Sequence, residues 1–389
     1  MGTKALAVAN KHAVRGISRS LLLTFPMLIW AFLMATPGFR QGSTANKIAA
    51  VTTALFMTTL FFLMMRRFET YRWRRIFFVS LGVLFPIGFI HNVLEMRGTM
   101  GIPIEEMIAG RTPFCFLPIP MLILPAALYK TVAFPGSILP NGGMSGAGIA
   151  AMVGLWLALT IVIGKGWCSY ACFFGGIEEG MAAIPKKAKL RNIDGRWRYG
   201  PWAVLLSMVL LSLAVFDSVY CMWLCPFKAV SEYVAARNTI GMVQNGIFVV
   251  LFAALVLVLP VLTKKRTQCA FFCPFGAFQS LFNKVNIFSL KIEQSKCTPC
   301  NLCQNACPTM ALTKESIAEG NALMSCMKCG ACVDACPRDA VSFHIRGTEV
   351  GTKPERARLM FLYATWAMAV MFGGSIIAQG LATILHVFV

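Results

Sequence analysis

Charged residues are scarce in this sequence, and acidic residues are the scarcest. Only 13% of the 389 residues are charged, and 16 Asp and Glu face 36 Lys and Arg. Soluble domains carry about 25% charged residues, so an ordinary soluble globular protein is excluded. The sequence also has only four histidines and lacks a Walker loop, a strand-linked Rossmann glycine run and a Cys-x-x-Cys-His run. Nucleotide binding, a nucleophile triad and covalent haem therefore have no sequence support.

Apolar residues are abundant instead, at 57% of the chain with a mean hydropathy of +0.67. A membrane-spanning helix needs about 20 mostly apolar residues. Seven segments of roughly this length occur, at 18–36, 46–65, 75–94, 147–165, 201–219, 240–262 and 359–384. The net charge of +20 is concentrated in short loops between these segments, which is the positive-inside pattern and no nucleic-acid surface.

The apolar segment 111–134 is ambiguous because it contains four prolines, which disrupt helix hydrogen bonding. If it crossed the membrane, the basic loops 66–75 and 185–200 would lie on opposite sides. We therefore expect a re-entrant or broken segment at the outer face. Seven crossings then place the amino terminus in the cytoplasm of a bacterial cell, with the chain in the inner membrane and Val389 outside.

Eight cysteines form two similar runs near the carboxyl end. Each run has the spacing Cys-x2-Cys-x2-Cys-x3-Cys-Pro of a two-cluster bacterial ferredoxin, in which the fourth cysteine ligates the other cluster. Zinc sites and disulfides fit this spacing less well. The expected ligands of the first [4Fe–4S] cluster are Cys297, Cys300, Cys303 and Cys336. The expected ligands of the second are Cys326, Cys329, Cys332 and Cys307.

Three further cysteine pairs share a Cys-x3-Cys step, and each lies at the end of a predicted span. One helix separates each pair from the next, so the pairs should alternate between the inner, outer and inner faces. An i,i+4 spacing places both sulfurs on one helix face. We expect a third [4Fe–4S] cluster at the inner face, on Cys168, Cys172, Cys269 and Cys273; buried free cysteines are the alternative.

The middle pair, Cys221 and Cys225, supplies two ligands for a possible fourth metal centre near the outer face. Cys115, in the proline-rich segment, is a candidate third ligand. A disulfide between Cys221 and Cys225 is an open alternative, because the outer compartment is oxidising.

These patterns predict a mainly α, polytopic membrane protein of about seven spans and a re-entrant segment, with an inserted α+β two-cluster ferredoxin domain. The expected divisions are N-terminal helices at 1–140, a membrane core with the three pairs at 141–290, a cytoplasmic ferredoxin domain at 291–350 and a C-terminal helix at 351–389.

The paired membrane cysteines, the trailing sequence CPFGAFQS and the two ferredoxin runs resemble membrane polyferredoxins of the NapH/NosR/YccM type, over about residues 145–345. The resemblance implies electron transfer between the quinone pool or the cytoplasm and periplasmic reductases, such as those for nitrate and nitrous oxide. Two features depart from it. Phe173 stands where proline is usual, and the pair Cys221/Cys225 is additional.

His91 and Glu95 lie one helical turn apart near the outer end of a predicted span, where they could serve a quinone or a haem b; a polar side chain at the interface is the alternative. Glu178 and Glu179 follow the first membrane pair and either tune a cluster or cap a helix.

We expect a membrane-bound iron–sulfur subunit that relays electrons to or from a redox partner such as a ferredoxin, a cytochrome or a periplasmic reductase. A redox-sensing or maturation factor for a partner metalloenzyme is the alternative. Because the sequence offers no substrate chemistry beyond clusters, a partner is expected to perform the net reaction.

Overall fold

In the computed structural model, residues 14–40, 42–96, 116–128, 149–190, 193–231, 239–350 and 353–388 are described, without the side chains of 89–96. The chain forms two compact units. The first, here called the ferredoxin unit, comprises 1–88, 162–180 and 283–389. The second, here called the helical unit, comprises 89–161 and 181–282.

Six helices in the described part of the chain are long and apolar enough to cross a membrane. Many of their large apolar side chains are exposed, for example Leu22, Leu206 and Val250. Exposed apolar surface on this scale needs a lipid environment. The six are Ile17–Arg40, Thr44–Arg67, Ile149–Tyr170, Gly195–Val215, Thr239–Thr263 and Pro354–Leu385. The prediction of a mainly α, multi-pass membrane protein is confirmed.

The span expected at 75–94 lies within a seventh long helix, Thr70–Met96, which is not among these six. The predicted re-entrant segment is described from residue 116 to 128. There the chain forms a short helical piece, Ile119–Leu128, that is about 15 Å long at 1.5 Å per residue. It is too short to cross a hydrocarbon core of about 30 Å.

The ferredoxin region is a small α+β fold. Strand β1, Phe288–Ile292, pairs antiparallel with strand β2, Val341–Ile345, so that Leu290 faces Phe343. The first cysteine run lies between β1 and the second run, and both runs fall between the two strands in sequence. The short helices of this region are Leu302–Ala306, Lys314–Ala318 and Ala331–Asp334.

The remaining helices are short and surround the membrane cysteines. Trp167–Tyr170 and Phe173–Ala183 flank the first pair, Lys228–Ser231 follows the second, and Thr267–Phe271 and Pro274–Leu281 flank the third. Where the structure describes the helical unit, π-helical turns occur at Ile119–Ile123, Tyr220–Leu224 and Phe252–Val258. Such turns free backbone carbonyls and are frequent at functional sites.

Candidate metal centres

The two ferredoxin runs exchange their fourth cysteines in space. Cys336, from the second run, interacts electrostatically with Cys297 and Cys303 of the first run. Cys307, from the first run, interacts in the same way with Cys326, Cys329 and Cys332. These neighbours agree with the two predicted ligand sets, and ligation of two clusters by them stays a prediction. The sets adjoin, because Cys332 also interacts with Cys303.

The second set is deeply buried and suits an anionic cluster. Burial raises the pKa of the Cys326 thiol to about 11 and that of Cys329 to about 12. Thiols of this kind ionise at neutral pH when a metal binds them. Backbone N–H groups already point at the sulfurs: Lys328 N–H donates to Cys326 Sγ at 3.4 Å and Ala311 N–H to Cys307 Sγ at 3.2 Å. These donors stabilise sulfur that carries negative charge.

The second ferredoxin run docks directly against the first membrane pair within the ferredoxin unit. The hydroxyl of Ser169, the residue after Cys168, donates to the carbonyl of Met327, the residue after Cys326, at 2.9 Å. One residue further on, Lys328 Nζ donates to the Ile163 carbonyl at 3.2 Å, at the end of the helix that precedes the pair. The two cysteine motifs are therefore joined by a short path: Cys168 is bonded to Ser169, Ser169 is hydrogen-bonded to Met327, and Met327 is bonded to Cys326.

Asn283 holds this junction together. Its amide Nδ2 donates to the carbonyls of Met324 and Cys326 at 2.8 and 2.7 Å. Its Oδ1 accepts from the backbone N–H of Lys165 at 3.1 Å and from Lys328 Nζ. One side chain thus ties the loop of the second run to the turn before Cys168.

A second contact fixes the ferredoxin region to the helix Thr70–Met96. The carboxylate of Asp334 accepts the backbone N–H groups of Thr70 and Tyr71 at 3.2 and 2.7 Å. These are orphan donors at a helix start, where a carboxylate also interacts favourably with the helix dipole. The cap comes from a residue more than 260 positions away in the chain.

A buried ion pair lies beside these contacts. Arg74 is fully buried, forms an ion pair with Glu179 and donates from Nη1 to the Ser169 carbonyl at 2.8 Å. Its charge also acts on Cys329 of the second set. Of the two roles considered for Glu179, capping does not fit, because Glu179 lies in the interior of the helix Phe173–Ala183. Charge tuning near a cluster stays a prediction.

Close helix packing brings Glu179 to Arg74. The helices Thr70–Met96 and Phe173–Ala183 cross at Gly82 and Gly176, where their backbones meet. A Cβ built on Gly176 would overlap the carbonyl oxygen of Phe78, so glycine is required there. Aromatic packing between Phe85 and Phe174, with ring centroids 5.7 Å apart, continues the contact.

The first and third membrane pairs share one backbone arrangement. In each, a helix ends at a left-handed residue, Gly164 or Lys264, and a short helix carrying the first cysteine follows. The residue before the first cysteine accepts two backbone N–H groups, those of the two residues that end the motif. These bonds are Ala171 and Cys172 to Trp167, and Phe272 and Cys273 to Gln268. The two pairs are thus copies of one local structure.

The third pair does not project beyond its helix but lies back along it. After the left-handed residue Lys264, the hydroxyl of Thr267 donates to the carbonyl of Leu255 at 2.6 Å. That carbonyl belongs to the π-helical turn Phe252–Val258. Leu255 precedes the helix end at Thr263 by eight residues, or about 12 Å. Cys269 is therefore set well below the end of the helix.

Side chains next to the second and third pairs are in contact, although the sequence predicts these pairs at opposite faces. The Gln268 side-chain amide donates to the Tyr220 hydroxyl at 3.1 Å, and these residues directly precede Cys269 and Cys221. The reason is a reversal at Phe216, which adopts a left-handed conformation with φ 56° and ends the helix Gly200–Val215. The chain then turns back toward the third pair.

Several predicted site residues lie outside the described part of the chain. Cys115 is one, and the side chains of His91 and Glu95 are others. None of the fourteen described cysteines forms a disulfide. No three described Cys, His, Asp or Glu side chains converge on a single metal ion. Cys168 and Cys172 belong to the ferredoxin unit, and Cys269 and Cys273 to the helical unit. Their joint ligation of one cluster stays a prediction.

Sequence reasoning missed the polar residues that link these motifs. Arg74 was counted among the loop cations, yet its side chain is fully buried. Arg266, which follows the predicted span 240–262, is buried as well, and its Nη2 donates to Cys269 Sγ at 3.0 Å. The position of Arg266 three residues before a cysteine, and of Ser169 directly after one, was the available signal.

Comparison with protein families finds iron–sulfur matches in both regions. A 4Fe-4S dicluster domain matches residues 289–337, which contain both ferredoxin runs. A 4Fe-4S binding domain matches three times, at residues 145–191, 200–242 and 245–293. Each of these three matches contains one Cys-x3-Cys pair, so the second pair is a copy of the same kind of motif as the first and third.

Relatives come from archaea and bacteria. An uncharacterized protein of Methanocaldococcus jannaschii is 26% identical over 52% of this chain and 80% of its own length. The ferredoxin-type protein NapH of Haemophilus influenzae is 23% identical over 61% of this chain and 74% of its own. The regulatory protein NosR of Stutzerimonas stutzeri is 24% identical over 44% of this chain and 24% of its own. No solved structure matches.

Together these findings show a multi-pass helical membrane protein with 4Fe–4S binding motifs, similar to membrane polyferredoxins. The resemblance to proteins of the NapH/NosR/YccM type, predicted from the cysteine motifs, is confirmed.

Proposed function

We propose that this protein is a membrane-bound electron-transfer subunit that relays electrons between two clusters of its ferredoxin region and centres at its membrane cysteines. The contact between Ser169 and Met327 is the main support, because it joins the second ferredoxin run to the first membrane pair. Relatives named as ferredoxin-type and putative electron transport proteins agree with this role.

In this proposal the chain itself binds, orients and insulates the clusters, which supply the one-electron chemistry. Cys297, Cys300, Cys303 and Cys336 hold the first cluster; Cys307, Cys326, Cys329 and Cys332 hold the second. The buried ion pair of Arg74 and Glu179 lies beside the second set, and both charges act on Cys329. Hydrogen-bond donors aimed at a cluster and buried positive charge near it raise its reduction potential, whereas buried negative charge lowers it.

In this proposal the ferredoxin region lies at the cytoplasmic face of a bacterial inner membrane, as the positive-inside pattern of the basic loops predicts. The donor or acceptor is then a ferredoxin or the quinone pool, and the opposite partner is a membrane or periplasmic redox protein. A role for His91 and Glu95 with a quinone or haem b belongs to this proposal as well; a pyridine haemochrome assay on the purified protein tests its haem part.

The relay is tested on the full chain, purified without oxygen and reduced with dithionite. We expect the ferredoxin clusters to be oxidised repeatedly by added short-chain ubiquinone or menaquinone, followed by visible absorbance and EPR. The Ser169→Ala variant should slow this oxidation several-fold while leaving cluster content unchanged. Ser375→Ala is the matched control, because that hydroxyl bonds only to Phe372 of its own helix.

A redox-sensing or maturation role is the second candidate, supported by the relative named as a regulatory protein. A sensor would accept its electrons once and hold them. Clusters that accept dithionite electrons but pass none to either quinone would refute the relay proposal for these acceptors and favour sensing.

A further inference from the structure

Tyr220 lies at a meeting point of the second and third membrane pairs in the helical unit. Its hydroxyl accepts the hydrogen bond from Gln268, and its ring centroid is 6.2 Å from that of Phe272. The sulfurs of Cys221, Cys225 and Cys273 all interact electrostatically with this hydroxyl. A fully packed tyrosine with three thiols around it brings the two pairs into one neighbourhood.

The backbone of the helix Gly200–Val215 explains how the pairs meet. This helix is about 24 Å long. Its first residue, Gly200, is in contact with the carbonyl of Phe271, while Tyr220, five residues past its end, reaches Gln268. The first residue of the helix and a residue beyond its end thus contact the same short segment, so the chain after Phe216 folds back along the helix.

The second cysteine of each pair is presented in the same way as a ferredoxin ligand. Cys225 and Cys273 have nearly equal backbone angles, φ −75° ψ 108° and φ −70° ψ 112°. Each precedes a proline and a helix start. Gly276 N–H donates to Cys273 Sγ at 3.4 Å, and the N–H groups of Phe227 and Lys228 bond to the Cys225 sulfur. The ferredoxin cysteine Cys307 has φ −71° ψ 115° and the same type of donor.

Each pair also brings a cation. The Arg266 guanidinium, fully buried, donates to Cys269 Sγ at 3.0 Å. The Lys228 ammonium interacts with the Cys225 sulfur. A buried cluster with four thiolate ligands carries net negative charge and is costly in an apolar interior unless cations and N–H donors accompany it. Both are in place here.

We infer that Cys221, Cys225, Cys269 and Cys273 together hold one iron–sulfur cluster within the helical unit. This ligand set replaces two sequence expectations: that Cys269 and Cys273 share a cluster with the first pair, and that Cys115 completes a site with the second. The inference deepens the proposed electron-transfer function, on which its role rests. The test of the ligand set measures iron content and requires no electron-transfer turnover. The ligand set and the electron-transfer function can therefore fail independently of each other.

The experiment compares iron and acid-labile sulfide per chain, with Mössbauer and EPR spectra, in the full chain purified without oxygen. The variants are Cys221→Ser/Cys225→Ser, Cys269→Ser/Cys273→Ser, and the combination of all four substitutions. We expect each double variant to lose about four irons per chain, and the combination to lose no more than either alone. Retained EPR signals of the ferredoxin clusters show that a variant is folded.

Three results would overturn the inference. The combined variant could lose twice the iron of each double variant, or the Cys221/Cys225 variant could keep its full iron. Finally, the Cys168→Ser/Cys172→Ser variant could lose about four irons, and combining it with Cys269→Ser/Cys273→Ser could cause no further loss of iron. That result would restore the pairing expected from the sequence.

Alkylation of the unsubstituted protein gives a second readout that needs no variant. As ferricyanide destroys the clusters, mass spectrometry follows which thiols become reactive. Cys221, Cys225, Cys269 and Cys273 should become reactive together, with one time course. Alkylation of Cys221 and Cys225 before any cluster is lost would also refute the proposed ligand set.

Discussion

Replacing Glu179 with glutamine should destabilise the ferredoxin unit much more than the loss of an exposed charge would. The substitution keeps the shape of the side chain and removes its charge. Arg74 is then left fully buried without the carboxylate that compensates it, although its bond to the Ser169 carbonyl remains. A buried cation that loses its partner cannot be rehydrated without disrupting the contact between the helices at Gly82 and Gly176.

The structure supplies an internal comparison for the magnitude. Glu69 and Arg72, near the start of the same helix, form an ion pair of 3.6 Å in which the Arg72 side chain is 59% exposed. Exposed pairs contribute roughly 0–1 kcal/mol. Breaking a buried pair costs about 3–5 kcal/mol. At about 1.4 kcal/mol per factor of ten, Glu179→Gln should change the folding equilibrium by a factor on the order of 100 to 4,000.

Unfolding in mixed micelles, titrated with a denaturing detergent, measures this difference for Glu179→Gln and for the control Glu69→Gln. The EPR signal of the second ferredoxin cluster reports on the same region, because the Arg74 charge acts on Cys329. Equal stability of the two variants would refute the claim that the buried pair holds this region together. The double variant Arg74→Met/Glu179→Leu should recover much of the lost stability, since it removes both charges.

Two further substitutions probe the contacts around this pair. Gly176→Ala should prevent close approach of the two helices, at a cost above about 2 kcal/mol, and lower the yield of folded protein on size-exclusion chromatography; Gly154→Ala, where a Cβ meets nothing within 4 Å, is the matched control and should be silent. Asp334→Ala should cost about 1–2 kcal/mol by removing two helix-start hydrogen bonds and should speed amide hydrogen exchange at Thr70, whereas Asp334→Asn should retain part of the protection.

Sequence reasoning was most successful where the chemistry is local. Cluster ligation depends on cysteine spacing within a run, and the long apolar segments report directly on helix length. The helix Thr239–Thr263 and the two-stranded ferredoxin fold follow from such patterns. The repeat of the run also predicts that Cys307 and Cys336 are exchanged between the clusters, and the electrostatic neighbours of both residues agree with that prediction.

Contacts between distant segments could not be predicted in this way. Nothing near Ser169 in sequence indicates that its hydroxyl bonds to Met327, 158 residues later. In the sequence Arg74 looks no different from its exposed neighbour Arg72. Its burial depends on the helix contact at Gly82 and Gly176, which hydropathy does not reveal. Charge counting therefore treated a buried cation as a loop residue.

The position of the membrane pairs was the hardest feature to predict, because hydropathy gives the length of an apolar helix but not where the chain goes afterwards. Alternation of faces assumes that each pair continues outward from its helix. Phe216 and Lys264 break that assumption, since both adopt a left-handed conformation and reverse the chain. Non-helical backbone in a membrane is tolerated only where protein groups satisfy it. Here the hydroxyls of Ser212 and Thr263 accept the N–H groups of Val219 and Lys265.

This reversal also changes the problem that electron transfer must solve. With pairs at opposite faces, a hydrocarbon core of about 30 Å would separate neighbouring centres, which requires a further carrier between them. In the helical unit the third pair instead lies about 12 Å back from its helix end, and the second pair meets it through Tyr220. A centre on these two pairs would lie inside the helical unit rather than at its surface. The fold of the chain thereby shortens the distance that an electron would have to cross between two separate surface sites.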